Sequence, residues 1–356
     1  MHIENIKHIN RKSLVSGAFI LFILTVMILI LFKSYSISEI QALFLKLKTG
    51  WLLAAIGCIL FSYLSEMMCF YEITKKIHGK ASLRTSFRVT MAGVYFNSVT
   101  PFACGGEPFQ VNCLMKYGVP MGSCANIIMV KSTVYQASVF LTSIAALIFN
   151  AASLNRLVDK FGLFFITGAA INFTVILFFV LFLVNKNAAR KAVNFVFKLL
   201  AKCRIIKNPE KYSKKKEEGL ECFNRASRMI FTDARVIAKV IFYQLLNLSF
   251  IYVVPYFLLI SLEGKYGYFW DIITSQAVLR QITSYIPSPG ASGGTEGISY
   301  FFFRNFFTRT PVVSVILIWR ILTYYFNIVF SGLYLAFIEA RKAKRKTGYL
   351  ESRKAA

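Results

Sequence analysis

The apolar residues of this chain fall in long blocks separated by short polar links. Residues 14–32 form a run of 19 without a charge, and 163–184 are nearly as clean. Either is long enough to cross about 30 Å of hydrocarbon as a helix. Blocks 51–71, 120–149, 236–261 and 311–337 have the same character, so six full spans are predicted. Pro255, inside the fifth span, predicts a kink. The first run lacks a small-residue cleavage site before Lys33, which favours a retained signal-anchor helix over a cleaved leader.

Two further apolar blocks, 87–118 and 268–309, are interrupted where the chain should still be in the bilayer. Pro101-Phe102-Ala103-Cys104-Gly105-Gly106-Glu107 breaks the first, and Pro287-Ser288-Pro289-Gly290-Ala291-Ser292-Gly293-Gly294-Thr295-Glu296 breaks the second. Proline has no N–H and pushes the preceding residue out of α geometry, so each incoming helix must end there. The glycines let the backbone turn back without a Cβ penalty. Each block therefore predicts a re-entrant hairpin, with Pro101, Gly105 and Gly106 making the first break and Pro287, Pro289, Gly290, Gly293 and Gly294 the second.

Charge sets the orientation. The net charge of +26 is concentrated in a few links: the N-terminal tail with Lys7, Arg11 and Lys12, residues 72–86, residues 185–235 with 14 cations against 5 acids, and residues 341–356 with 7 cations. The links 33–50, 150–162 and 262–267 share only six. The positive-inside rule places the first group and both termini in the cytosol. The two hairpins then enter from opposite faces, and units 51–149 and 236–337 form an inverted repeat. The expected fold is an all-α membrane protein with six full transmembrane helices and two re-entrant hairpins. It makes one polytopic domain over 1–340, with a cytosolic basic loop at 185–235 and a basic tail at 341–356.

Composition narrows the chemistry. An apolar content of 56% with 35 Phe suits a lipid-embedded chain. The basic links are explained by orientation and by attraction to anionic lipid, so no nucleic-acid partner is implied. Seven scattered Cys and His only at 2, 8 and 78 give no metal or haem spacing, and no cofactor is expected. Cys104 is read as a small residue tolerated in a turn.

The candidate site rests on spacing. The interval from Glu107 to Lys131 equals that from Glu296 to Arg320, and Tyr135 and Tyr324 each follow one helical turn after the cation. Lys131 and Arg320 stand about two and a half to three turns beyond Pro120 and Pro311, roughly 14 to 17 Å into their helices. A cation at that depth costs about 2.5–3.5 kcal/mol on insertion scales, which argues against an idle lipid-facing position. Two readings stand. Each cation either neutralises its own hairpin glutamate, Lys131 with Glu107 and Arg320 with Glu296, or also engages an anionic phosphate. In the second reading the glutamates take an amine or a proton, and the N–H groups opening each second hairpin arm assist. Glu107, Lys131, Tyr135, Glu296, Arg320 and Tyr324 are thus the binding candidates. Glu66, Arg88, Gln110 and Arg280 stand behind them, with Asn97, Gln281 and Tyr285 as weaker cavity residues. Gln276 shares a helical face with Arg280, and Gly122, Ser123 and Ala125 read as close-packing positions.

The stretches 100–108 and 287–297, with Trp319-Arg320, resemble the lysylphosphatidylglycerol synthase transmembrane family of flippase-like proteins over about residues 14–340. In the best-known members, bacterial multiple peptide resistance factors, such a membrane domain precedes a cytosolic transferase that lysinylates phosphatidylglycerol. The membrane domain moves the product outward. The resemblance implies a lipid translocase of the bacterial cell membrane without the transferase half. Its partner would be an anionic or aminoacylated phospholipid, made by a separate lipid-modifying enzyme, and its role would be linked to membrane charge and cationic antimicrobial resistance. Phosphatidylglycerol lysyltransferase activity and transport of a small polar solute are the alternatives.

Overall fold

A computed structural model describes residue 41 and residues 44–202 and 209–355. The predicted span 14–32 lies outside them. The described chain comprises twelve α-helices: α1 (Thr49–His78), α2 (Leu83–Val99), α3 (Gly106–Met115), α4 (Met121–Phe149), α5 (Ala151–Val184), α6 (Lys186–Lys202), α7 (Pro209–Phe231), α8 (Ala234–Glu263), α9 (Phe269–Thr283), α10 (Gly294–Phe303), α11 (Val312–Arg320) and α12 (Phe326–Ala355). No strand occurs among the described residues. Five stretches are long and apolar enough to cross a membrane: α1, α4, Phe161–Val184 of α5, α8, and Val312–Arg341. These coincide with the five predicted spans that fall in the described region. Helix α8 continues through Pro255.

The two interrupted blocks are helical hairpins. A one-turn 3₁₀ segment, Pro101–Ala103, separates α2 from α3, and another, Pro289–Ala291, separates α9 from α10. Packing relates the two halves of the chain. Helices α1 and α8 lie along each other, α2 packs on α12, and α9 packs on α4. The incoming arm of each hairpin thus rests on the closing span of the other half, and the two 3₁₀ breaks touch.

The main core joins Ile59 and Tyr63 of α1 to Leu258 of α8, Ile272 of α9, Phe302 of α10 and Trp319 of α11. Large apolar side chains also point outward, including Leu53, Phe61, Leu141, Phe164, Phe178 and Phe242. In water such a surface would be a liability, whereas in hydrocarbon it is the solvated face.

The basic stretch 185–235, predicted only as a loop, contains helices α6 and α7. Each has an apolar face: Ala189 of α6 and Leu220, Phe223 and Ile230 of α7 are buried against Cys124 and Ile127 of α4 and Leu183 of α5. Amphipathic helices rich in Lys and Arg register as polar links when only long apolar runs are sought. Asn126 of α4 donates to the Ser227 hydroxyl at 2.6 Å and to the Phe223 carbonyl at 3.3 Å. Gly122 is indeed a close-packing position: a Cβ there would lie 1.9 Å from the Gly219 carbonyl oxygen. Gly122→Ala is therefore expected to push α7 off α4 and lower stability by about 1–3 kcal/mol. Gly50→Ala, where nothing lies within 4 Å, should leave it unchanged; thermal unfolding of the detergent-purified variants measures both.

Candidate functional site

The two breaks share one backbone plan. Phe102 and Ala103 have φ of 56° and 51°, and Gly290 and Ala291 have 59° and 53°. The helix restarts on the second glycine in both, at Gly106 and Gly294. Left-handed geometry at a non-glycine costs roughly 1–2 kcal/mol per residue, and it persists only where the surroundings impose it. At Gly290 the reason for glycine is plain: an added Cβ would stand 2.0 Å from the Tyr324 ring.

Side chains satisfy the backbone groups that the breaks release. Thr100 Oγ1 accepts from the Gly105 N–H at 3.0 Å, and Asn97 Oδ1 accepts from the Gly106 N–H at 2.6 Å. In the second hairpin, Glu296 Oε2 accepts from the Gly293 N–H at 2.6 Å. Arg320 Nη2 donates to the Gly290 carbonyl and to Ser292 Oγ, each at 3.0 Å.

This plan shifts the glutamates out of register. Aligning the breaks pairs Pro101 with Pro289 and Gly106 with Gly294, so Glu107 is the second residue of α3 while Glu296 is the third of α10. One residue turns a side chain by about 100°, and the two acids meet different neighbours. Glu296 Oε1 lies 2.7 Å from Arg320 Nε, an ion pair rather than an aligned hydrogen bond, since that N–H has no acceptor in line. Glu107 keeps a buried Oε2 with no hydrogen-bond partner among the described residues.

The pairing of Lys131 with Glu107 does not occur. Lys131 forms its ion pair with Glu66 of α1, and its ammonium also lies 5.6 Å from the Phe70 ring centre and 5.4 Å from that of Tyr135. The matching intervals between acid and cation were misleading. Lys131 and Arg320 stand at different distances from the prolines that open their helices, and the difference of two positions is about 200° of rotation. Measured from those prolines, they do not occupy equivalent places.

The tyrosines cross between the halves. Tyr324 is buried, lies with its ring 4.4 Å from the Arg320 guanidinium carbon, and donates its hydroxyl proton to the Ser98 carbonyl at 3.0 Å. A π-helical turn over Ile321–Tyr325, which the sequence pattern did not suggest, follows Arg320 directly and widens the helix at this point. Tyr135 instead accepts from Arg280 of α9 through Nε at 2.8 Å and through Nη2.

The remaining candidates fall elsewhere. Gln110 is buried and donates to the Val89 carbonyl at 3.2 Å, locking α3 to α2. Arg88 hydrogen-bonds the Tyr117 hydroxyl near a cleft of about 240 Å³ lined by Thr74, His78, Lys80, Thr85 and Tyr117. Gln281 accepts from Asn172 of α5 at 3.1 Å. Cys104 is exposed at the first break, and no group of metal-binding side chains occurs among the described residues. The pairing of Arg280 with a hydroxyl on another helix had a signal in the sequence: no carboxylate stands one turn either side of it, only Gln276, Ala277, Thr283 and Ser284.

Residues 13–331 match the family described as the lysylphosphatidylglycerol synthase TM region. The chain belongs to this family. It is also 26% identical over 312 residues to a UPF0104 membrane protein of Archaeoglobus fulgidus, covering 85% of this chain and 91% of that one. No solved structure matches. The match supports reading the apolar helices as membrane spans.

Gly290→Ala is expected to destabilise the protein by roughly 1–3 kcal/mol through collision with Tyr324 as well as strain. Gly293→Ala has positive φ but open space, so it should lose less; reversal of that order in thermal unfolding would contradict the contact between Gly290 and Tyr324.

Proposed function

We propose that this chain is a multi-pass lipid translocator of the bacterial cell membrane. It handles an anionic or aminoacylated phospholipid, of which lysylphosphatidylglycerol is the leading candidate, and so tunes membrane charge and resistance to cationic antimicrobials. Its two hairpins dip into the bilayer from opposite faces, both termini lie in the cytosol, and units 51–149 and 236–337 act as an inverted repeat. Rocking of one unit against the other exposes a head-group site to each leaflet in turn.

The observation that carries this reading is the contact between the two strained breaks, flanked by ionisable side chains. Irregular backbone at membrane depth is tolerated only inside protein or beside a wet cavity. Ionisable groups there mark ligand or ion paths. The unpartnered Glu107 oxygen suits the amine of an aminoacylated head group, while Glu296 and Arg320 hold the second break closed. The family description, the TM region of a lysylphosphatidylglycerol synthase, supports the same substrate class.

Liposomes carrying the purified chain and labelled aminoacyl-phosphatidylglycerol, phosphatidylglycerol or polyprenyl phosphate test the proposal. Leaflet transfer of at least one lipid is expected, and absence of transfer for all three would overturn it. Exchange of the pair, Glu296→Arg with Arg320→Glu, should recover stability relative to either single variant but not transfer. Lysyl-lipid formed in a host supplied only with this chain would instead support the transferase alternative, and gradient-coupled solute uptake would support the solute alternative.

A further inference from the structure

Arg280 and Arg320, on the helices α9 and α11, differ in how fully they are neutralised. Arg320 is buried, with side-chain exposure of 9%, and faces a carboxylate, a carbonyl, a hydroxyl and an aromatic ring. Its charge is spent within the protein. Among the described residues Arg280 has the Tyr135 hydroxyl as its one hydrogen-bonding partner, and its guanidinium also lies over the Tyr135 ring, 5.7 Å from its centre. Arg280 is an exposed side chain, although α4, α5 and α8 pack against its helix. Among the described residues the carboxylate that acts on it is Glu66, which is already ion-paired with Lys131. Lys131 in turn lies against the same tyrosine. Two cations and one anion therefore converge on Tyr135, leaving one positive charge uncompensated.

Two further polar side chains end in buried donors without an acceptor among the described residues. Gln276, one turn before Arg280 on the same face of α9, is 5% exposed, and its amide nitrogen is buried with no partner among the described residues. The Tyr285 hydroxyl, within electrostatic reach of Tyr135, is also buried without a partner. The Tyr135 oxygen accepts from Arg280, so its own proton is free to be donated onward. A buried donor left unmade is costly, and several gathered around an unbalanced cation describe the binding face for an oxyanion. We infer that Arg280, Lys131, Tyr135, Gln276 and Tyr285 form a seat for a phosphate-bearing anion, with Arg280 as its principal charge and Glu66 holding Lys131 in place.

This seat rests on the translocator reading only for the source of its phosphate, which would be the head group of a phospholipid in transit. It lies on α4 and α9, where the closing span of one half meets the incoming hairpin arm of the other. Relative motion of the halves would therefore open or close it. Arg320, in contrast, is a latch on the second break.

Calorimetric titration of the full chain in detergent with dihexanoyl-phosphatidylglycerol, and separately with inorganic phosphate, tests the seat. Arg280→Gln should weaken binding roughly tenfold to a hundredfold, the loss expected for a hydrogen bond to a charged group, and Arg280→Lys should retain part of the affinity. Gln276→Leu is the sharper variant. It removes an unpartnered buried amide, so the fold should be as stable as wild type or more so, yet binding should fall several-fold. Unchanged affinity in both Arg280→Gln and Gln276→Leu overturns the inference. Arg280-dependent binding of inorganic phosphate without binding of the short-chain lipid supports the seat but assigns it to free phosphate. Leaflet transfer is read separately: Arg280-dependent binding without transfer keeps the seat and rejects translocation, and transfer indifferent to Arg280→Gln does the reverse.

Discussion

A broken helix releases N–H and C=O groups that apolar surroundings cannot satisfy, and both hairpins of this protein answer that constraint with side chains. Each break spends two residues in left-handed geometry and then restarts a helix on a glycine, with nearby side chains closing the open donors. Thr100 and Asn97 serve the first break, Glu296 and Arg320 the second. One side is capped by neutral groups and the other by an ion pair. The breaks lean on each other, and Tyr324 ties the second half to the Ser98 carbonyl of the first hairpin, so neither break stands without its counterpart.

The difference in capping divides the labour between the halves. Because asparagine and threonine complete the first break, Glu107 is left over and Lys131 is free to pair with Glu66 instead. Because Glu296 and Arg320 complete the second, their charges are used up in holding the turn. The uncompensated charge then resides on Arg280, whose guanidinium leans on Tyr135 across the boundary between halves. Two hairpins with one backbone plan thereby acquire different surroundings.

Much of the architecture was legible in the sequence because the bilayer makes length and polarity decisive. An uncharged run of bilayer-spanning length has few other uses, and Pro-Gly clusters inside such runs have fewer, so five spans and both hairpin breaks emerged where the chain has them. The amphipathic helices α6 and α7 escaped notice because their apolar faces, with Leu220 and Phe223 against α4, alternate with cations along the chain. Arg88 and Gln110, placed by the sequence behind the binding candidates, each find a partner within their own hairpin, at Tyr117 and at Val89.

What the sequence by itself determined, then, is which segments are apolar enough to enter a membrane, where they must break, and which charged residues are too costly to be idle. What only the tertiary structure decided is who neutralises whom. Glu66 and Lys131 stand on different spans, α1 and α4, and Tyr135 and Arg280 belong to different halves of the chain; no helical period links either pair. A single residue of register in the breaks and a π turn after Arg320 rotate side chains by enough to exchange partners, and such rotations depend on packing between helices rather than on order along the chain.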